Sequence, residues 1–159
     1  MTFSPDLERE LRQSVRQARL VAFTCCYVGP AMYILSLGSQ ALRGRWELFL
    51  GGFGRLPWGD PRVPVSLAAA AAAMALALVL PPRLGRPGDA RAALGVLKAR
   101  NLLSSALLVA VAICGLVLGV KIGPPAASLS LVLFLAPMVR GWFVFPSEAR
   151  WRRAMAVRN

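Results

Sequence analysis

The stretch "ARNLLSSALLVAVAICGLVLGV" (Ala99–Val120) decides the fold of this chain. From Asn101 to Val120 it carries no charged side chain. A helix of roughly 20 such residues is about 30 Å long, which matches the hydrocarbon core of a bilayer. The stretch therefore predicts a membrane-spanning helix.

The rest of the chain is also rich in apolar residues. Hydrophobic residues make up 57% of the 159 residues, more apolar surface than so small a soluble domain can bury. The apolar segments are uniform and do not alternate, which disfavours a β-barrel. We predict an all-α polytopic membrane protein, one transmembrane domain over residues 1–159, with four transmembrane helices at residues 20–42, 64–80, 102–120 and 128–145.

The positive charge is unevenly distributed along the chain. The net charge is +12, and 14 of the 19 Lys and Arg residues lie before the first span, between the second and third spans, or from Arg140 onward. The positive-inside rule then places both termini in the cytoplasm, and we expect the inner (cytoplasmic) membrane. Such clusters favour anionic lipid head groups over nucleic acid as the partner.

Two amphipathic or basic segments flank the spans. Ser4 and Pro5 predict the start of a helix, because serine caps and proline suits the first turn. Residues 4–19 then form an amphipathic helix that either lies at the membrane interface or runs straight into the first span. Residues 146–159 form a basic cytoplasmic tail.

Prolines predict kinks within two spans. Pro30 follows Gly29 near the middle of the first span, and Pro137 lies in the fourth.

Arg140 lies near the end of the fourth span, where it can reach lipid head groups, with an anion site as the alternative. We predict head-group or anion contacts for four arginines: Arg140, Arg150, Arg152 and Arg153.

A weak internal repeat relates the first and third spans. Residues Ala18–Gly38 align without gaps with Ala99–Gly119, and both segments begin Ala-Arg and end Leu-x-Leu-Gly. This pattern is typical of two duplicated helical hairpins. Chance similarity within a restricted set of apolar residues is the alternative.

Small residues form a stripe along the third span. Gly115, Gly119 and Gly123 are four residues apart, and Ala112 lies near the same face. Such a face permits close approach of another helix. The partner is either the alanine-rich second span of the same chain or a helix of another subunit.

Residues suited to catalysis or metal binding are scarce. The chain has no histidine, and all seven acidic residues lie outside the predicted spans. Metal sites and general acid–base pairs are hard to build from this set. We expect no enzyme activity and no cofactor.

One helix resembles a known family. Residues Ala106–Gly119 (ALLVAVAICGLVLG) resemble the ion-carrying helix of the proteolipid c subunits of rotary ATPases. On that resemblance Gly115 is the family's motif glycine, Cys114 takes a tyrosine position, and Val109 occupies the place of the ion-binding carboxylate. The resemblance thus implies a proteolipid-like protein that does not translocate ions.

The sequence favours a non-catalytic structural or accessory subunit that packs with itself or within a larger membrane complex. A small transporter or channel component is the alternative. It would use the kinks at Pro30 and Pro137 and the charge of Arg140.

Overall fold

The computed structural model describes residues 4–40, 56–83 and 89–156, and every regular element in these ranges is helical. This confirms the predicted all-α class. The helices are α1 (Pro5–Phe23), α2 (Gly29–Gln40), α3 (Arg62–Arg83), α4 (Ala90–Lys121), α5 (Ala127–Val144) and α6 (Glu148–Ala156). A π-helical turn (Thr24–Val28) joins α1 to α2 without a break, and a 3₁₀ turn (Pro124–Ala126) precedes α5.

Four helical segments are long and apolar enough to cross a bilayer, and each overlaps one predicted span. They are Pro5–Leu35, Arg62–Pro81, Ala90–Lys121 and Ala127–Val144. The chain is therefore a polytopic membrane protein, as predicted. Residues 41–42 of the first predicted span, residues 43–55 of the loop that follows it and residues 157–159 of the basic tail lie outside the described residues.

Helix α4 is the centre of the bundle. It contacts α1, the π-helical turn, α3, α5 and α6. Its membrane part is apolar around the whole circumference, because neighbouring helices cover several of its sides. Buried α4 side chains such as Leu108, Val111 and Leu118 form the core of the bundle with α3 and α5.

Helix α3 packs along one side of α4. Its buried positions recur every three or four residues, which is the spacing of one helix face. Most of them are small, so the two backbones can lie close together. They are Val63, Ser66, Ala70, Ala73 and Ala77.

Other helices of the chain cover the apolar face at the start of α1. Ser4 caps it as predicted, since the Ser4 hydroxyl accepts a hydrogen bond from the Leu7 backbone N–H at 3.4 Å. Its apolar face, with Leu11 and Val15 buried, packs against the first turns of α4 and against α6. Helix α1 also continues through the π-helical turn into α2, so that the chain passes from it directly into the first candidate span.

We call this assembly the helical cap. It comprises residues 5–19 of α1, residues 90–100 of α4, and α6. Its core is formed by Leu11, Val15, Ala18, Ala93, Leu94, Trp151 and Met155.

Ion pairs join the three parts of the cap at its rim. Arg152 of α6 donates to Glu148 Oε1 at 2.8 Å and to Glu8 Oε1 of α1 at 3.1 Å. The hydrogen bond to Glu148 and the nearby Glu8 raise the pKa of Arg152 above its ordinary value. Glu10 of α1 pairs with Arg91 at 3.4 Å and with Lys98 at 3.7 Å, both on α4. These partly exposed pairs orient the helices, while the apolar core supplies most of the stability.

The internal repeat has no counterpart in the packing. Helices α4 and α5 pack over much of their length, whereas the first span and α3 have no extensive contact within the described ranges. The first and second predicted hairpins are thus packed differently.

We predict that Leu11→Ala destabilises the helical cap. Leu11 is fully buried between the cap helices, and truncation of such a leucine costs about 2–5 kcal/mol. Hydrogen exchange of the purified chain should become faster in α6 and in the first turns of α4, as well as in α1.

Leu20→Ala is the matched control, because Leu20 lies on the same helix but is 61% exposed. It should leave exchange in α4 and α6 unchanged. If Leu11→Ala also left both segments unchanged, the apolar face of α1 would have to lie elsewhere, such as at the membrane interface.

Candidate functional site

The glycine stripe of α4 packs against α5 rather than against α3. A Cβ atom built on Gly115 would lie 3.1 Å from the Ser130 carbonyl oxygen and 3.1 Å from Leu133 Cβ. The Ser130 hydroxyl donates to the Gly115 carbonyl oxygen at 2.6 Å. The absence of a side chain at Gly115 thus permits both the close approach and this interhelical hydrogen bond.

Gly119 receives an aromatic side chain from α2. A Cβ atom on Gly119 would overlap the Tyr33 hydroxyl and lie 3.0 Å from Ser130 Oγ. The Tyr33 ring stacks on Phe134 of α5, with ring centroids 4.2 Å apart, and its hydroxyl oxygen lies 3.4 Å from Ser130 Oγ. Gly119 is therefore the point where α2, α4 and α5 meet.

The other members of the stripe have different surroundings. Gly123 lies beyond the C-terminus of α4 with φ of +76°, a left-handed conformation that ends the helix, and the space where a side chain would begin is open. Ala112 is buried beside the first span, near Pro30. Helices of the same chain thus cover Gly115 and Gly119. The cover comes from α5 and from Tyr33 of α2, whereas the intrachain partner expected from the sequence is α3.

Gly141 is a packing residue that no pattern in the sequence singles out. A Cβ atom there would lie 2.9 Å from Cys26 Cβ, in the π-helical turn. Gly141 is an isolated glycine near the end of α5, without a second small residue at helical spacing to mark a face. Only the position of the neighbouring helix reveals its role.

The predicted kink at Pro30 coincides with the π-helical turn that precedes it. Proline cannot donate a backbone hydrogen bond to the residue four positions earlier, which favours such a local rearrangement. A groove of about 340 Å³ lies between the π-helical turn and α2 on one side and α4 on the other. Val109 lines this groove together with Pro30 and Tyr33. Its walls are nearly all apolar.

A second cavity, of about 370 Å³, lies where the helical cap meets the membrane bundle. We call it the arginine cavity. The wall formed by α4, α5 and α6 carries the polar lining residues Arg100, Asn101, Ser104, Arg140 and Arg150, together with Leu97, Val144 and Trp151. The wall formed by α3 is apolar, and its residues are Ala77, Leu78 and Pro81.

The arginine cavity brings together two of the four predicted arginines. Arg140 Nε is buried and has no hydrogen-bond partner, the one such side-chain nitrogen or oxygen in the part of the chain that the structure describes. Arg150 Nη1 donates to the Phe143 carbonyl oxygen at 2.9 Å, which holds its guanidinium over the end of α5. None of the described residues lining the cavity is acidic.

The other two predicted arginines lie outside the cavity. Arg152 is engaged by Glu8 and Glu148, and Arg153 is exposed, with Nε donating to the Ala149 carbonyl oxygen at 3.4 Å. Arg100 is not among the predicted site residues, because in sequence it is one of several basic residues between the second and third spans. Its place in the cavity follows from the extension of α4 beyond the bundle.

The described residues contain no cluster of three or more His, Cys, Asp or Glu side chains that could hold a metal ion. Cys25, Cys26 and Cys114 are free thiols within the membrane segments.

No family model, no curated protein and no solved structure matches this chain. The resemblance of residues Ala106–Gly119 to proteolipid c subunits therefore stays a prediction from the sequence.

We predict that Gly119→Ala lowers the thermal stability of the purified protein. The added methyl group must displace Tyr33 from its place between α4 and α5, and overpacking of this kind costs about 1–3 kcal/mol. Adding Tyr33→Phe, which removes the overlapping hydroxyl, should restore part of the loss in a thermal unfolding measurement.

Gly95→Ala serves as the control within the same helix. No neighbouring atom lies within 4 Å of a Cβ built on Gly95, and alanine favours a helix over glycine by about 1 kcal/mol. Stability should be unchanged or slightly raised. Equal unfolding temperatures for Gly119→Ala and the parent chain would contradict the contact with Tyr33.

Proposed function

We propose that this protein is a non-catalytic accessory protein of the cytoplasmic membrane that packs with further transmembrane helices in a membrane assembly. The observation that carries the proposal is the outward face of α3. The further helices belong either to a second copy or to another membrane protein.

The alanine run of α3 has two faces. The inward alanines, Ala70 and Ala73, are buried against α4, and this contact accounts for their size. Ala68, Ala72 and Ala75 are exposed on the outward side, where no part of the described chain covers them. Ala68 and Ala72 are spaced as in small-xxx-small faces that associate in membranes.

The outward face of α5 provides a contrast. At comparable positions it exposes large apolar side chains, among them Val132, Leu135 and Val139. Such residues gain more from contact with lipid than alanine does. The middle of α3 is thus better suited to close helix contact, and α5 to lipid.

The orientation is part of the proposal. The helical cap carries most of the described basic residues, whereas the opposite end of the bundle carries Arg62 and Lys121. By the positive-inside rule the cap, and with it both termini, lies in the cytoplasm.

We expect Ala72→Leu to weaken association. A leucine on the outward face of α3 would hold a neighbouring helix at a distance and would itself be stabilised by lipid. Native mass measurement after extraction in a mild detergent should find fewer oligomers, or less co-purified protein, than with the parent chain.

Ala106→Leu is the matched control, because Ala106 is an exposed alanine on α4. It should leave the association unchanged. A parent chain that is monomeric under these conditions, with no co-purified protein, would count against the accessory role.

Single-cysteine labelling tests the orientation. In intact cells a membrane-impermeant maleimide should leave Gln13→Cys in the cap unlabelled and should label Trp58→Cys, which is exposed beyond the other end of the bundle. The reverse pattern would invert the topology without affecting the helix-packing proposal.

A further inference from the structure

We infer that the arginine cavity binds the phosphate group of an anionic phospholipid, with Arg140 as a principal partner. This inference is independent of the proposed role of α3 in assembly. It rests on the charge of the cavity, the unsatisfied Arg140 donor, and the apolar wall.

Positive charge dominates the lining of the cavity. Three arginines line it, and no described lining residue is acidic. The glutamates of the helical cap are engaged at its rim: Glu8 and Glu148 with Arg152, and Glu10 with Arg91 and Lys98. Guanidinium groups bind phosphate oxygens with short, charge-assisted hydrogen bonds. A phosphate group therefore matches the polar wall.

Arg140 carries a buried hydrogen-bond donor that such a ligand could engage. Its Nε is shielded from solvent and has no hydrogen-bond partner among the described residues. A buried donor without an acceptor is destabilising, and one that belongs to a cationic guanidinium more so. The Arg140 side chain lines the cavity, so a small movement of its guanidinium would bring this donor to an oxygen of a bound phosphate.

Arg150 offsets the negative end of α5 at the cavity. The cavity lies beside the C-terminus of α5, where the free carbonyls of the helix would repel negative charge. Arg150 donates to one of these carbonyls, that of Phe143. The guanidinium thus offsets the helix end and has further N–H groups to offer a ligand.

The second wall indicates a lipid rather than a soluble phosphate. Ala77, Leu78 and Pro81 of α3 form an apolar surface facing the arginines, and Leu78 is half exposed on the outer surface of the bundle. The cavity lies at the boundary between the membrane bundle and the cap. A phospholipid can place its phosphate at the arginines while its acyl chains follow α3 into the bilayer.

Binding of phosphatidylglycerol and phosphatidylcholine with identical acyl chains can be compared by native mass spectrometry of the full chain. Phosphatidylglycerol should bind in preference, and Arg140→Gln should weaken its binding by about tenfold, the effect of losing one charge-assisted partner. Arg150→Gln, at an exposed position, should weaken it as well and serves if Arg140→Gln does not fold.

Arg153→Gln is the matched control, since it removes the same charge from α6 outside the cavity. It should retain the parent affinity. Equal loss in Arg153→Gln and Arg140→Gln would overturn the inference in favour of diffuse attraction. Equal binding of phosphatidylcholine would overturn the requirement for an anionic lipid.

Inorganic phosphate distinguishes the two sources of the phosphate group. Measured by thermal shift in lipid-free detergent, it should stabilise the parent chain much less than phosphatidylglycerol at the same concentration. Stabilisation by inorganic phosphate alone, to the same extent and lost in Arg140→Gln, would assign a soluble anion to the cavity and overturn the lipid inference.

Discussion

The length of α4 is the constraint on which the rest of the structure depends. Its 32 residues extend about 48 Å, whereas the hydrocarbon core is about 30 Å thick. Several turns must therefore stand outside the membrane, and their apolar side chains, Ala93 and Leu94, need cover. The amphipathic start of α1 and the short helix α6 supply it. The helical cap is thus a consequence of the excess length of α4.

Within the bilayer a different force must hold the helices together. Lipid is as apolar as the helices, so close packing and interhelical hydrogen bonds replace the hydrophobic effect. Gly115 and Gly119 provide both, because they let Ser130 and Tyr33 approach the α4 backbone. The π-helical turn before Pro30 lies in the same helix as Tyr33.

The sequence predicts some of these features and not others, for physical reasons. Length and hydropathy suffice for the four spans, because the bilayer imposes them. The spacing of Gly115 and Gly119 identifies a packing face but not the helix that faces it, and the expected α3 is replaced by α5. The apolar face of α1 can equally be covered by lipid or by helices. Arg100, Gly141 and the ion pairs of the cap depend on residues distant in sequence, which no local pattern relates.

The packing of the helical cap on the membrane bundle also determines where the positive charges of the chain lie. The cap places its glutamates at the rim, where they pair with Arg152, Arg91 and Lys98. The arginine cavity lies on the membrane side of the cap. The charged side chains among its described lining residues are all arginines. Because α3 forms one wall of that cavity and also presents the outward alanine face, an anionic lipid held there would lie beside the surface proposed for helix association.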